Sequence, residues 1–250
     1  YFWSKPDVVA YCEKHFAEVG NTARSLGVRL SFHPGQFTVL ASESDDIIDR
    51  SIEEFEYHVN MARWMGYGKK FQDFKINVHI SGRRGPQGII DVLPRLSPEA
   101  RNTITIENEE MKWGLDDVLQ LEKHLALVFD IHHHWVNCGE WITVDDDRIK
   151  RIIDSWRGVR PVMHYSQPKE ILHNKVDQAK LLDREKLFEQ GENRTTIRAH
   201  SDYYWHIPTN NWIKPFGKLF DIQCESKAKN LASSLLAAQY ELISIGSPVW

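Results

Sequence analysis

The chain has 250 residues, 42% hydrophobic and 26% charged, enough to bury a large core in one large domain or two small ones. No apolar run nears the ~20 residues that cross a bilayer, no secretory leader pattern opens the chain, and three scattered cysteines (Cys12, Cys138, Cys224) give no disulfide framework. An intracellular, reducing compartment is expected. The formal charge of −4 counts against a basic nucleic-acid surface, although bound divalent cations would reverse that sign locally.

A helix is predicted first, over 7–26, where Val8, Val9, Cys12, Phe16, Val19 and Ala23 share a side and Gly27 serves as the C-cap. It is preceded by Tyr1-Phe2-Trp3-Ser4, with no strand ahead of it. A β-run follows at 28–32. Ser44 opens a second helix bearing Ile48, Ile52, Phe55, Val59 and Ala62 and closing near Gly66. After a β-run at 75–80, Ser97-Pro98 reads as an N-cap with proline at the first helical position. Further β-runs lie at 103–107, 125–131, 160–164 and 219–225, and 195–199 is placed in a long loop after the fifth run. A last helix is predicted from about Lys227 past Leu236. Strand and helix in alternation mean α/β with parallel strands. The expected fold is one α/β domain over 1–250, a TIM-type (β/α) barrel lacking one or two N-terminal strands; an open doubly wound sheet is the alternative.

What ends each run carries the chemistry. The six runs finish in or near His33, His79, Glu107, Asp130 (with His132, His133 and His134 after it), His164 and Glu225. In parallel α/β folds the carboxyl ends of strands form one face, so these side chains are expected to converge. Imidazole with carboxylate is a ligand set for Zn²⁺, Mn²⁺ or Fe²⁺. A lone histidine after a strand is usually an ordinary loop residue, but six coincidences at six strand ends are a poorer explanation than a metal centre. Three consecutive histidines cannot all face one site, so one or two of His132, His133 and His134 are expected to be structural. His15, His58, His124, His173 and His206 read as ordinary.

The segments Ser31-Phe32-His33-Pro34-Gly35-Gln36-Phe37, Val78-His79-Ile80-Ser81-Gly82, Ile106-Glu107-Asn108-Glu109, Phe129-Asp130-Ile131-His132-His133-His134, Met163-His164-Tyr165-Ser166, Ala199-His200-Ser201-Asp202-Tyr203 and Cys224-Glu225-Ser226-Lys227-Ala228-Lys229 follow one another as in UV-damage endonucleases, a family this chain resembles from about residue 28 to 235. The wider kin are endonuclease IV-type abasic-site nucleases and xylose isomerase-like barrels.

The resemblance implies a TIM-type barrel that nicks UV-damaged double-stranded DNA 5′ to the photoproduct by metal-assisted hydrolysis. It implies Mn²⁺ in a site of two or three divalent ions, with Zn²⁺, Co²⁺ or Mg²⁺ as alternatives. His33, His79 and Glu107 resemble the ligands of one ion; Glu107, Asp130, His164 and Glu225 those of a second; His133 and His200 those of a third. Glu107, Asp130 and Glu225 are the expected catalytic carboxylates. Gln36 and Phe37 match the pair that wedges into the duplex at a lesion; from the residue alone, Phe37 reads equally as core. Arg83, Arg84 and Lys169, in loops after strands, are candidate phosphate contacts. Two departures stand out: Val162 sits where the family carries a modified lysine, and the N-terminal strands that supply another lesion-probing aromatic are missing. An abasic-site endonuclease and a sugar isomerase are the rival functions; the latter needs a catalytic lysine that no strand end supplies. A monomer without membrane or protein partners is expected.

Overall fold

The computed structural model describes residues 4–240, so the opening Tyr1-Phe2-Trp3 lies outside the described residues. The chain divides into two compact units; the first runs up to Ile106 and takes back Lys123–Ala126, and the second holds Glu107–Glu122 and continues from Leu127.

The first unit contains α1 (Pro6–Ser25), β1 (Ser31–Phe32), α2 (Asp45–Trp64), β2 (Lys75–His79), α3 (Gly85–Val92), α4 (Pro98–Thr103) and the start of β3 (Ile104–Glu107). The β-run expected over 28–32 shortens to two residues because helix exit consumes its beginning: Gly27 adopts φ 66° and Val28 N–H closes back on the Ala23 carbonyl at 2.8 Å. Strand β1 runs parallel to β2, with Ser31 opposite Lys75 and Phe32 opposite Ile76. Ile76, Val78, Ile104 and Ile106 are buried with Phe55 and Val59 of α2. A buried hydrogen bond from the Thr105 hydroxyl to Asn77 Oδ1, 2.8 Å, joins the polar positions of β2 and β3. Ser97 caps α4 as expected, accepting from Ala100 N–H, and Glu56 of α2 accepts from both its N–H and its hydroxyl.

Gly20 marks where α1 meets the end of α2. A Cβ there would lie 2.0 Å from the Met65 carbonyl oxygen, backbone that cannot rotate away. Gly20→Ala is expected to lose about 1–3 kcal/mol, overpacking outweighing the better helix propensity of alanine. Thermal melting should show a drop of several degrees; an unchanged or raised Tm would mean the two helices are not held this closely.

The second unit contains α5 (Leu115–Val118), β4 (Ala126–Asp130, from its second residue), α6 (Ile131–Cys138), α7 (Asp147–Ser155), β5 (Val162–Tyr165), α8 (Arg184–Glu189), α9 (Arg194–Arg198), α10 (Ile207–Ile213), β6 (Asp221–Cys224) and α11 (Asn230–Tyr240). Strands β4, β5 and β6 are parallel neighbours in that order. Of the segment 195–199, placed by sequence in a loop, all but Ala199 is helical instead, because the Asn193 side chain accepts from Thr196 N–H and caps α9. Helix α11 starts three residues later than expected, since Lys229 turns the chain through φ 53°. Trp135, Val136, Leu172, Leu182, Leu187 and Ile197 form a core under the β5–α10 excursion. Among the described residues no helix is long and apolar enough to cross a membrane.

Candidate metal centre

Strand register decides which side chains share an end. Asp130 pairs with His164 across β4 and β5, and His164 with Gln223 across β5 and β6. Glu225 lies two residues beyond Gln223, hence on the same face, and its N–H donates to the Tyr165 carbonyl at 2.9 Å. With Glu107, these residues place ligand atoms within 4.8 Å of one another. His164 Nδ1 lies 3.0 Å from Glu107 Oε1 and 3.0 Å from Glu225 Oε1. Glu107, Asp130 and His164 have no solvent exposure.

Three carboxylates crowded in this way are costly without a cation. Burial, and then the charges of Glu107 and Glu225, push the Asp130 carboxyl up to about 7, with the His133 and His164 imidazoles acting against them. Asp130 Oδ1 accepts from His133 N–H at 2.8 Å, capping α6. Its Oδ2 is buried and has no hydrogen-bond partner among the described residues. A buried, unsatisfied carboxylate oxygen facing carboxylate and imidazole donors is what a divalent cation would complete, so the residues fit the metal.

The two histidines expected at the third ion are set up alike. His133 Nδ1 contacts the Asn108 carbonyl at 3.0 Å, and His200 Nδ1 contacts the Glu225 carbonyl at 2.9 Å. A carbonyl only accepts, so each Nδ1 carries the proton and Nε2 is the nitrogen that would coordinate an ion. The rings stand 6.2 Å apart. Burial opposes charge on His133, but Asp130, Glu107 and Glu110 outweigh it and raise its pKa to about 9. His200 is held below the ordinary range by burial. Only the middle residue of the histidine triplet joins the cluster. His132 stacks on Trp135 with its edge toward His200, and His134 donates to Glu140.

In the first unit His33 and His79 end β1 and β2 with ring centroids 4.9 Å apart. His33 Nδ1 donates to the Pro34 carbonyl at 3.0 Å, turning Nε2 toward Asn77. Gln36 and Phe37 occupy the tip of a turn closed by Thr38 N–H to Gly35 O, 3.0 Å. Phe37 is 84% exposed, which removes the core reading. Buried Thr38, Leu40 and Ala41, with Val39 N–H bound to the Ser51 hydroxyl, hold the turn's base. Arg83 pairs with Glu43 and Arg84 with Asp91, so both are already engaged; Lys169 is exposed after β5. Val162 starts β5 with 7% exposure, a wall residue where the family's lysine would stand.

Asn108 has a role that sequence reasoning did not give it. Fully buried, it donates to the Asp130 carbonyl and accepts from Asp130 N–H, both at 2.9 Å, while its own carbonyl orients His133. Its place directly after Glu107 was the available signal.

Parallel strands ending in buried carboxylates and imidazoles, with an unsatisfied carboxylate oxygen among them, define an α/β enzyme built to hold divalent metal. The chain belongs to the UV-endonuclease UvdE family, whose model matches residues 4–246, and so to the DNA-repair endonucleases. It is 28% identical over 251 residues to the UV DNA damage endonuclease of Bacillus pumilus, covering 96% of this chain and 69% of that protein. The crystal structure of SacUVDE is similar with a TM-score of 0.70 at 21% identity, covering 93% of this chain and 72% of that one. Endonuclease IV from Thermus thermophilus gives 0.61 at 13% identity, over 97% and 83%. The fold is therefore the expected TIM-type (β/α) kind.

Proposed function

We propose that this chain nicks UV-damaged double-stranded DNA immediately 5′ to the photoproduct, acting as a monomer on intracellular DNA with two or three divalent ions, Mn²⁺ foremost. The observation that carries the metal reading is the orphaned Asp130 Oδ2 within the Glu107, His164 and Glu225 cluster. Glu107, Asp130, His164 and Glu225 would hold one ion, His133 and His200 another, and the pair His33 and His79 supplies ligands in the first unit. Bound divalent ions supply Lewis acidity, acidifying water and offsetting charge that develops on the phosphoryl oxygens. The protein's part is to fix the donors: Asn108 locks Asp130 and His133, and the Glu225 carbonyl fixes the His200 tautomer.

Lesion selection falls to the exposed turn. An aromatic ring held out on a rigid base can enter a base step whose stacking is weakened by a photodimer. Arg83, Arg84 and Lys169 contact phosphate, the two arginines by exchanging Glu43 and Asp91 for the backbone. Because Phe37 is so exposed, Phe37→Ala should leave stability within about 0.5 kcal/mol while weakening attack on damaged duplex by roughly 5- to 150-fold, the worth of about 1–3 kcal/mol of stacking. Equal incision rates for parent and variant would remove Phe37 from recognition.

The function is tested with Mn²⁺ and three labelled duplexes: one cyclobutane dimer, one abasic site, and undamaged. A nick 5′ to the dimer that EDTA suppresses supports the proposal. Cleavage confined to the abasic duplex would move the chain to endonuclease IV-like chemistry, and no cleavage of any duplex would refute both.

A further inference from the structure

Helix α6 carries a second group of metal-type donors at its other end. His134 and Cys138 are four residues apart and share a face of the helix. Gly139 then enters the left-handed region at φ 80° and turns the chain so that Glu140 comes back over the same face. His134 Nε2 lies 3.1 Å from Glu140 Oε2 and 3.4 Å from Cys138 Sγ, and the three ligand atoms fall within 4.8 Å of one another. Metal bonds of ~2.0–2.3 Å in a tetrahedron give ligand-to-ligand edges of roughly 3.3–3.7 Å, close to these separations.

We infer that His134, Cys138 and Glu140 form a second cation site, distinct from the strand-end centre, that takes a thiophilic divalent ion such as Zn²⁺. His134 is buried while Cys138 is exposed, so an imidazole is fixed from below and the thiol meets the ion from solvent. Two cations flank the group: Arg184, whose guanidinium donates to the Val136 and Asn137 carbonyls at the helix end, and Arg148, which binds Glu140 Oε1 at 2.7 Å and Oε2 at 3.0 Å. Asp146 also binds Arg148, at 2.8 Å, so the guanidinium is shared between two carboxylates and orients Glu140 in the way a coordinating carboxylate is held. Imidazole nitrogen, thiolate sulfur and carboxylate oxygen select zinc over Mg²⁺ or Ca²⁺, which prefer all-oxygen shells. The ion would pin the end of the helix whose first turn presents His133.

Alkylation of Cys138 by iodoacetamide, followed by peptide mass mapping with and without Zn²⁺ alone, tests this on the whole chain. Zinc should slow modification of Cys138 at least about tenfold in the parent, as expected for a thiolate committed to metal, and should give no protection in Glu140→Gln. Equal rates with and without zinc, or equal protection in the variant, would overturn the site. Co²⁺ gives an independent reading: a near-ultraviolet thiolate-to-metal band should be present in the parent and lost in Cys138→Ser. A band that persists in Cys138→Ser would assign the thiolate elsewhere.

Discussion

Glu107→Gln should abolish incision of the dimer-containing duplex, by on the order of 10³-fold or more in single-turnover rate, the scale of removing one preorganised electrostatic partner. Glu107 is fully buried, and its Oε1 lies 3.0 Å from His164 Nδ1 and 3.6 Å from His133 Nδ1, so one carboxylate serves both groups of imidazoles. Glutamine keeps the shape and the acceptor oxygen for His164 but removes the negative charge. Without metal, the substitution should not unfold the protein. Glu107 is one of the charges that raise the Asp130 carboxyl, so its loss relieves repulsion, and the Tm in EDTA should match or exceed that of the parent. Inactivity with an intact melt and a reduced metal content is the expected combination; full activity would remove Glu107 from the reaction.

Stripping the metal should leave a protein whose stability falls as pH rises, and metal should restore more at alkaline than at acid pH. Asp130 titrates at about 7 in the folded state against an ordinary 3.8, so its favourable contribution is complete at acid pH and is lost as pH rises through about 7. His133 titrates at about 9 against 6.5, so its contribution is present below 6.5 and lost as pH rises through about 9. Both shifts act in the same direction. A divalent ion replaces those protons, so binding near pH 7 should release about one proton or more per chain. Calorimetry of Mn²⁺ binding in two buffers of different ionisation enthalpy measures that number. Thermal melts with and without EDTA from about pH 5.5 to 8.5 measure the growing metal increment. A Tm gain that does not change with pH would mean that neither Asp130 nor His133 loses a proton on binding.

The candidate ligands were legible because strand ends are marked twice in this sequence, by the close of a β-run and by a residue with lone pairs to offer. His33, His79, Glu107, Asp130 and His164 each stand in or directly beside the strand that sequence placed there, and Glu225 follows β6. The helices with capping signals were legible for a similar reason: Ser97 caps α4 and Gly27 closes α1 through local hydrogen bonds. Helix α9 was missed although Asn193 gave the same kind of signal, since a short helix between loops lacks the apolar repeat that identifies longer ones. Phe37 could not be decided from its residue type, because an aromatic side chain after a strand suits a core and a wedge equally.

By itself, the sequence determined the alternation of strand and helix, the donor types at the strand ends and the family. Each of these depends on residue identity and on neighbours a few positions away. Tertiary structure alone decided which of three adjacent histidines faces the carboxylate cluster, with His133 toward Glu107 and Asp130 while His134 turns to Glu140. It also decided that Asp130 keeps one oxygen unsatisfied and that Asn108, 22 residues away in sequence, aligns it. Those outcomes come from burial and from contacts between distant segments, where desolvation makes the cost of an unpaired charge depend on every group packed around it.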